Sequence, residues 1–211
     1  MKKYDCAMAV ERLTVSLESG LAIAVREAAD ADEQNVSAWL ADAARRQLAN
    51  RGLRDIVAAW EHEHGALSGD DRSRSRTRGR MTTLVLDARA LIALDRNDRS
   101  AWAMLRNAAD DSAEVSVPAG VIAQAWRDGS HQALLARALA HCDEIPLDGP
   151  LARATGLLCG HAGTADIIDA SVAVIAAARA RSSAVALVTS DPNDHRHLLQ
   201  TLGASVRLVT V

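Results

Sequence analysis

The stretch Met81-Thr82-Thr83-Leu84-Val85-Leu86-Asp87-Ala88-Arg89-Ala90-Leu91-Ile92-Ala93 decides how the second half of this chain folds. It reads like the start of a new protein, with its own methionine and a first strand that begins at once. Asp87 closes that strand. Further short strands are expected at 115–117, 144–147, 185–189 and 206–211, with helical stretches between most of them. Alternation of this kind argues for an α/β layer with a mainly parallel sheet. In such sheets the site lies beyond the carboxyl ends of the strands.

Acidic residues sit where that rule wants them. Asp87 ends the first strand, Asp191 follows Leu187-Val188-Thr189-Ser190, and Asp194 comes three residues later. Asp166 and Asp169 open a long helix, and their i, i+3 spacing places both on one face. Any one of them alone fits a helix cap. Several uncompensated carboxylates at one sheet edge repel each other, a divalent cation relieves the repulsion, and oxygen ligands suit Mg²⁺ or Mn²⁺.

Upstream lies a seam. From Asp70 the chain reads Asp70-Asp71-Arg72-Ser73-Arg74-Ser75-Arg76-Thr77-Arg78-Gly79-Arg80, with Arg at every second position from 72 to 80 and no apolar periodicity. Such a strip is expected to stay unfolded on its own. The formal net charge of −3 divides at this seam: residues 1–80 carry 13 basic and 13 acidic side chains, and residues 81–211 carry 11 and 14. Counter-charge and acidic cluster thus occupy different parts of one chain. The expected division is 1–50, 51–80 and 81–211.

The first of these segments opens with Glu11-Arg12-Leu13-Thr14-Val15-Ser16-Leu17, whose alternation puts three apolar side chains on one strand face and Arg12, Thr14 and Ser16 on the other. A helix is expected from about Glu18 and another around Val36 to Leu48, capped by Asn35 or Ser37. A lone short strand is unstable, so it must pair with another chain. One strand and two helices in this order resemble the ribbon-helix-helix repressors. That resemblance implies a homodimer or higher oligomer, operator DNA as partner, Arg12, Thr14 and Ser16 facing the bases, and the helix start near Ser37 holding a backbone phosphate. Leu53, Ile56, Val57 and Trp60 then recur at i, i+3, i+4 and i+7, the pattern of a helix laid in a partner's groove with Trp60 as anchor. Glu61-His62-Glu63-His64 reads as a solvated helix end, because histidines two apart on a helix point in different directions.

Four segments of the second half carry a more specific resemblance: Leu84-Val85-Leu86-Asp87-Ala88-Arg89-Ala90-Leu91-Ile92-Ala93, Val117-Pro118-Ala119-Gly120-Val121-Ile122-Ala123-Gln124-Ala125-Trp126-Arg127, Asp169-Ala170-Ser171-Val172-Ala173 and Val188-Thr189-Ser190-Asp191. They look like a PIN-domain ribonuclease of the VapC toxin type, over nearly all of 81–211. The first half resembles the matching VapB antitoxin, so the chain resembles a VapBC toxin–antitoxin pair in one polypeptide. The resemblance implies a PIN-like, mainly parallel sheet flanked by helices, preceded by a ribbon-helix-helix module and an extended partner-wrapping segment. It also implies Mg²⁺- or Mn²⁺-dependent cleavage of RNA, with Asp87, Asp169, Asp191 and Asp194 as metal ligands and Asp166 in support. Gln124 stands where most of the family has Glu, which removes one negative charge from the site. Arg74, Arg76 and Arg78 are the implied inhibitory residues, reaching the carboxylates in place of the metal. Two rival readings remain: a DNA-binding regulator with a catalytically impaired PIN-like domain, and a PIN nuclease of RNA maturation.

The remaining signals are bland. Cys6, Cys142 and Cys159 are odd in number and unclustered, which suits free thiols and argues against a disulfide framework. His195 and His197 read as surface residues beside an active-site loop, with His195 or Arg196 able to touch RNA phosphate. Trp102 and Trp126 read as core or dimer-interface residues in a chain without Phe. No stretch approaches the roughly 20 apolar residues of a membrane helix, so a cytoplasmic protein without membrane contact is expected.

Overall fold

A computed structural model describes residues 11, 13–75 and 82–211. Contacts divide the chain into two compact units, 1–44 and 45–211. In the first, residues 13–18 form no strand, and Leu13 and Val15 are 82% and 63% exposed. The expected strand is therefore not formed within a single chain, as a strand without a neighbour has no ladder to join. Helix α1 spans Ser19–Ala31. The next helix, α2, starts at Val36, with the Asn35 side chain accepting the Ala38 N–H at 2.9 Å, so Asn35 is the cap and Ser37 is an exposed residue of the first turn.

Helix α2 runs unbroken to His64, where the sequence suggested two helices. Its last part belongs to the larger unit, and the reason is packing. Leu53, Val57 and Trp60 are buried in the same core as the sheet. Gly52 lies so close to the His141 ring that a Cβ there would overlap it. A short helix α3, Gly69–Arg74, follows, opened by a reciprocal cap in which Ser68 and Asp71 each accept the other's backbone N–H. The Arg-rich strip is thus not unfolded up to Arg74: a capping box starts a helix, and Arg72 pairs with Asp110.

The sheet follows from β1 (Thr83–Leu86), with helices α4 (Ala88–Asp95) and α5 (Arg99–Asp111) leading to β2 (Glu114–Pro118). Helices α6 (Ala119–Ala125) and α7 (Ala133–Leu139) lead to β3 (Asp143–Ile145). Then come α8 (Gly149–Ala162), α9 (Ile167–Arg179), β4 (Val185–Thr189), α10 (Pro192–Thr201) and β5 (Arg207–Thr210). All four strand pairings are parallel, in the order β3-β2-β1-β4-β5. β1 and β4 are buried along their whole length, which explains their apolar runs. The chain builds outward from β1 through β2 to β3, then returns to β4 on the other side of β1. The order of strands therefore reverses between β1 and β4, the place beyond the carboxyl ends where sheets of this kind put their ligands. No single helix among the described residues is long and apolar enough to cross a membrane.

Residues 45–75 lie along α5 and its neighbours. Trp60 is 1% exposed and stacks between Trp102, at 5.2 Å, and His64, at 5.0 Å. Its Nε1 donates to Asn97 Oδ1, and the Arg99 guanidinium lies 5.6 Å from its ring centre. Arg106 reaches Glu61 at 2.6 Å, and Arg137 holds Glu63 through two hydrogen bonds of 3.1 and 3.3 Å. The Arg137 guanidinium holds the Glu63 carboxyl below its ordinary range. The Glu61-His62-Glu63-His64 end is therefore tied down, not simply solvated. Trp102 is a core residue, whereas Trp126 is exposed.

Candidate functional site

Three helices, α4, α9 and α10, begin at Asp residues that the topology brings to the carboxyl-end side of β1 and β4. Asp87 follows β1 and caps α4, its Oδ1 accepting the Ala90 N–H at 2.8 Å. Asp166 caps α9 by accepting from Ile168 and Asp169, both at 3.0 Å. Asp191 caps α10 by accepting from Asp194 at 3.3 Å, and its own N–H donates to Thr189 Oγ1. Each cap satisfies N–H groups that a helix leaves free at its start, and each places a negative charge at the positive end of a helix dipole. The local pattern is the same three times over: an Asp, then a helix that it caps.

Near two of these turns lies His195. It points inward from the first turns of α10 and is 1% exposed. Its Nε2 lies 3.9 Å from Asp87 Oδ2 and 3.9 Å from Asp169 Oδ1. Both separations exceed a hydrogen bond. Nδ1 is buried and has no hydrogen-bond partner among the described residues. The expectation of a surface histidine is therefore corrected. With Leu198 and Leu199, also buried, His195 occupies the inward i, i+3, i+4 face of α10. That spacing was the one available signal, masked by the polar neighbours Asp194, Arg196 and His197.

The electrostatics follow from crowding. Burial is the largest cause that pushes the Asp169 carboxyl above its ordinary range, His195 opposes it, and Asp166, Asp87 and Asp194 add to the rise. Three of the other expected acids thus act on Asp169. The Asp191 carboxylate serves the cap of α10. Gln124 is exposed on α6, and its side chain makes no hydrogen bond among the described residues. α6 nevertheless borders α9, since Gly120 lies against the Ile168 side chain. Cys159 donates weakly to the Asp166 carbonyl at 3.8 Å, and burial pushes the Cys142 thiol up to about 12, which leaves it unreactive.

Would these residues fit a divalent cation? Asp87 and Asp169 face a common point marked by a nitrogen that bonds to neither, which is the donor chemistry of a mixed nitrogen–oxygen site. As placed, the triangle is open: among the described residues no group of three or more His, Cys, Asp and Glu side chains is arranged to hold a metal ion. Asp87 is fixed by its cap, while the Asp169 side chain is 32% exposed.

The other expected site residues lie elsewhere. Thr14, Ser16 and Ser37 are exposed in the first unit, and Arg12 lies outside the described residues. Arg74 is exposed and pairs with no carboxylate among the described residues, and Arg76 and Arg78 lie outside them. No family model, curated protein or solved structure matches the chain.

Proposed function

We propose that residues 81–211 are a divalent-metal-dependent endoribonuclease of PIN-like architecture, and that the whole chain works as a VapBC-type toxin–antitoxin pair. The observation that carries this reading is the convergence of Asp87 and Asp169 at the strand-order reversal, with Asp166 and Asp194 close enough to raise Asp169. In this reading Asp87 and Asp169 would hold Mg²⁺ or Mn²⁺, and the ion would supply an activated water and charge neutralisation at the scissile phosphate. Asp87 is oriented by its bond to the Ala90 N–H, so its second oxygen is turned toward His195. Asp166 and Asp194 add negative charge beside Asp169 that favours a cation over an anion. The amino-terminal dipoles of α4, α9 and α10 would help seat the substrate phosphate.

The segment 45–75 is the neutralising arm in this reading, anchored by Trp60 on Trp102. Residues 1–44 supply operator-DNA binding through a ribbon made with a second copy. The exposed Leu13 and Val15 support that assignment, since they are the apolar face such a ribbon would cover. The test is twofold: incubation of the chain with RNA in Mg²⁺ or Mn²⁺ against EDTA, and a mobility shift with DNA from the chain's own promoter. Metal-dependent cleavage that Asp87→Asn abolishes supports the nuclease assignment. Cleavage indifferent to EDTA and to Asp87→Asn refutes it. A specific shift, lost when Thr14 and Ser16 become Ala, supports the DNA-binding role.

A further inference from the structure

We propose that Trp126 is a stacking platform for an unpaired base of single-stranded RNA. The inference rests on reading residues 81–211 as a ribonuclease, and deepens it by naming a substrate contact away from the carboxylates and the state of the strand that makes it.

Three observations carry it. First, Trp126 is unlike the other tryptophans. The indole N–H groups of Trp39, Trp60 and Trp102 donate to Asp32, Asn97 and the Leu94 carbonyl. Trp126 is 39% exposed, and its Nε1 has no hydrogen-bond partner among the described residues. Second, the ring is held out on a fixed backbone. Gln132 is buried and uses its amide on both sides of Trp126: Oε1 accepts from the Arg127 and Asp128 N–H groups at 2.7 and 3.0 Å, and Nε2 donates to the Ala125 carbonyl at 3.1 Å and to Asp95 at 3.0 Å. Gly129 lies against the indole so closely that a Cβ there would stand 2.7 Å from Cζ2. An exposed ring locked by a buried, fully bonded amide is preorganised for a ligand, because little is left to order on binding. Third, a cation stands beside it. Arg127 is exposed and donates through Nη1 to the Ala123 and Trp126 carbonyls, while its Nη2 and Nε have no partner among the described residues and can take a phosphate. The neighbouring Asp128 carboxylate is already engaged by Ser130 and His131.

The surroundings choose the occupant. Between Leu48 and Leu147, Trp126 is the only large apolar side chain exposed among the described residues. A lasting contact between copies of a chain needs a wider apolar area, whereas one flat ring with a guanidinium beside it suits a base and its phosphate. Pairing in a duplex hides the base faces, so the strand is single where it meets the ring. Helix α6 sets the reach. Gly120 lies against Ile168 in the first turn of α9, and Trp126 comes six residues later, about 9 Å along the helix axis. The stacked base therefore flanks the cut and positions the strand from one side.

The experiment measures binding of a labelled, mixed-sequence, single-stranded RNA oligonucleotide to the full chain in EDTA, by fluorescence anisotropy and by tryptophan emission. The expected result is binding that quenches the emission. Trp126→Phe keeps a stacking face and should retain most of the affinity while removing most of the quenching. Trp126→Leu, apolar but without a π-face, should weaken binding about tenfold or more. The same RNA annealed into a duplex should bind with an affinity indifferent to both substitutions. Unchanged affinity in Trp126→Leu, or an equal loss in Trp126→Phe, overturns the platform and leaves the ribonuclease reading to stand on its Asp87→Asn test. A chain that falls to a smaller oligomer on Trp126→Leu in size-exclusion chromatography assigns the ring to a contact between copies, and also overturns the platform. No binding of the RNA by the unmodified chain overturns it too, and the ribonuclease reading falls with it where metal-dependent cleavage is absent as well.

Discussion

Replacing Trp60 with Ala tests how firmly residues 45–75 are bound to the sheet-bearing unit. The side chain is 1% exposed, so the substitution removes a complete buried indole and leaves a cavity against Trp102. Such truncations cost about 3–5 kcal/mol. The stacked pair adds about 0.5–1.5 kcal/mol beyond area burial, and the loss of the Nε1 hydrogen bond strands the Asn97 acceptor. The cost therefore belongs in the upper half of the range, about 4–5 kcal/mol. Whole domains are stable by only about 5–15 kcal/mol, so this is about a quarter of the total or more. The assay is urea denaturation followed by circular dichroism, with limited proteolysis of the native protein alongside. The account predicts a large fall in midpoint and new cleavage between residues 61 and 75. A loss below about 1 kcal/mol, a size typical of surface changes, would show that the arm is not anchored through Trp60.

Three other expectations are open to measurement. Asp169→Asn should stabilise the fold near neutral pH, because burial and three acidic neighbours outweigh His195 in raising its carboxyl. A raised acid is comfortable when protonated in the fold, so the unmodified chain matches the variant at low pH and falls behind as pH climbs above about 4 and Asp169 ionises. A stability gap independent of pH would contradict this. Gly52→Ala should fail to stabilise α2, since about 1 kcal/mol of helix preference is offset by an overpacking cost of about 1–3 kcal/mol against the His141 ring. A melting temperature raised by several degrees would refute that packing argument. Gln124→Glu should tighten divalent-metal binding by restoring a negative charge on α6 beside α9, and unchanged affinity in titration calorimetry would remove Gln124 from the site.

Much of the second half was legible because its signals are local. Val185–Thr189 is a strand with the expected bounds, and Leu84 to Leu86 lie in Thr83–Leu86, since buried parallel strands read as short apolar runs. Asp87, Asp166 and Asp191 could be placed at helix starts for the same reason: caps are written in sequence. What escaped depends on distant residues. Asn50-Arg51-Gly52 resembles a break between helices, yet close packing on His141 keeps α2 continuous. Arg72 joins a helix because Asp110 and the turn at Ser68 meet it. His195 sits among polar neighbours that mask its inward register, and only the sheet's topology brings Asp87 and Asp169 to it.

The central claim is most directly tested by cleavage of a fluorescent RNA reporter by the Trp60→Ala chain in Mn²⁺, compared with the same chain carrying Asp169→Asn as well. The account predicts metal-dependent cleavage that exceeds that of the unmodified protein and vanishes in the double variant. A folded Trp60→Ala chain that binds Mn²⁺ and leaves RNA intact, or cleavage undiminished by Asp169→Asn, would contradict it.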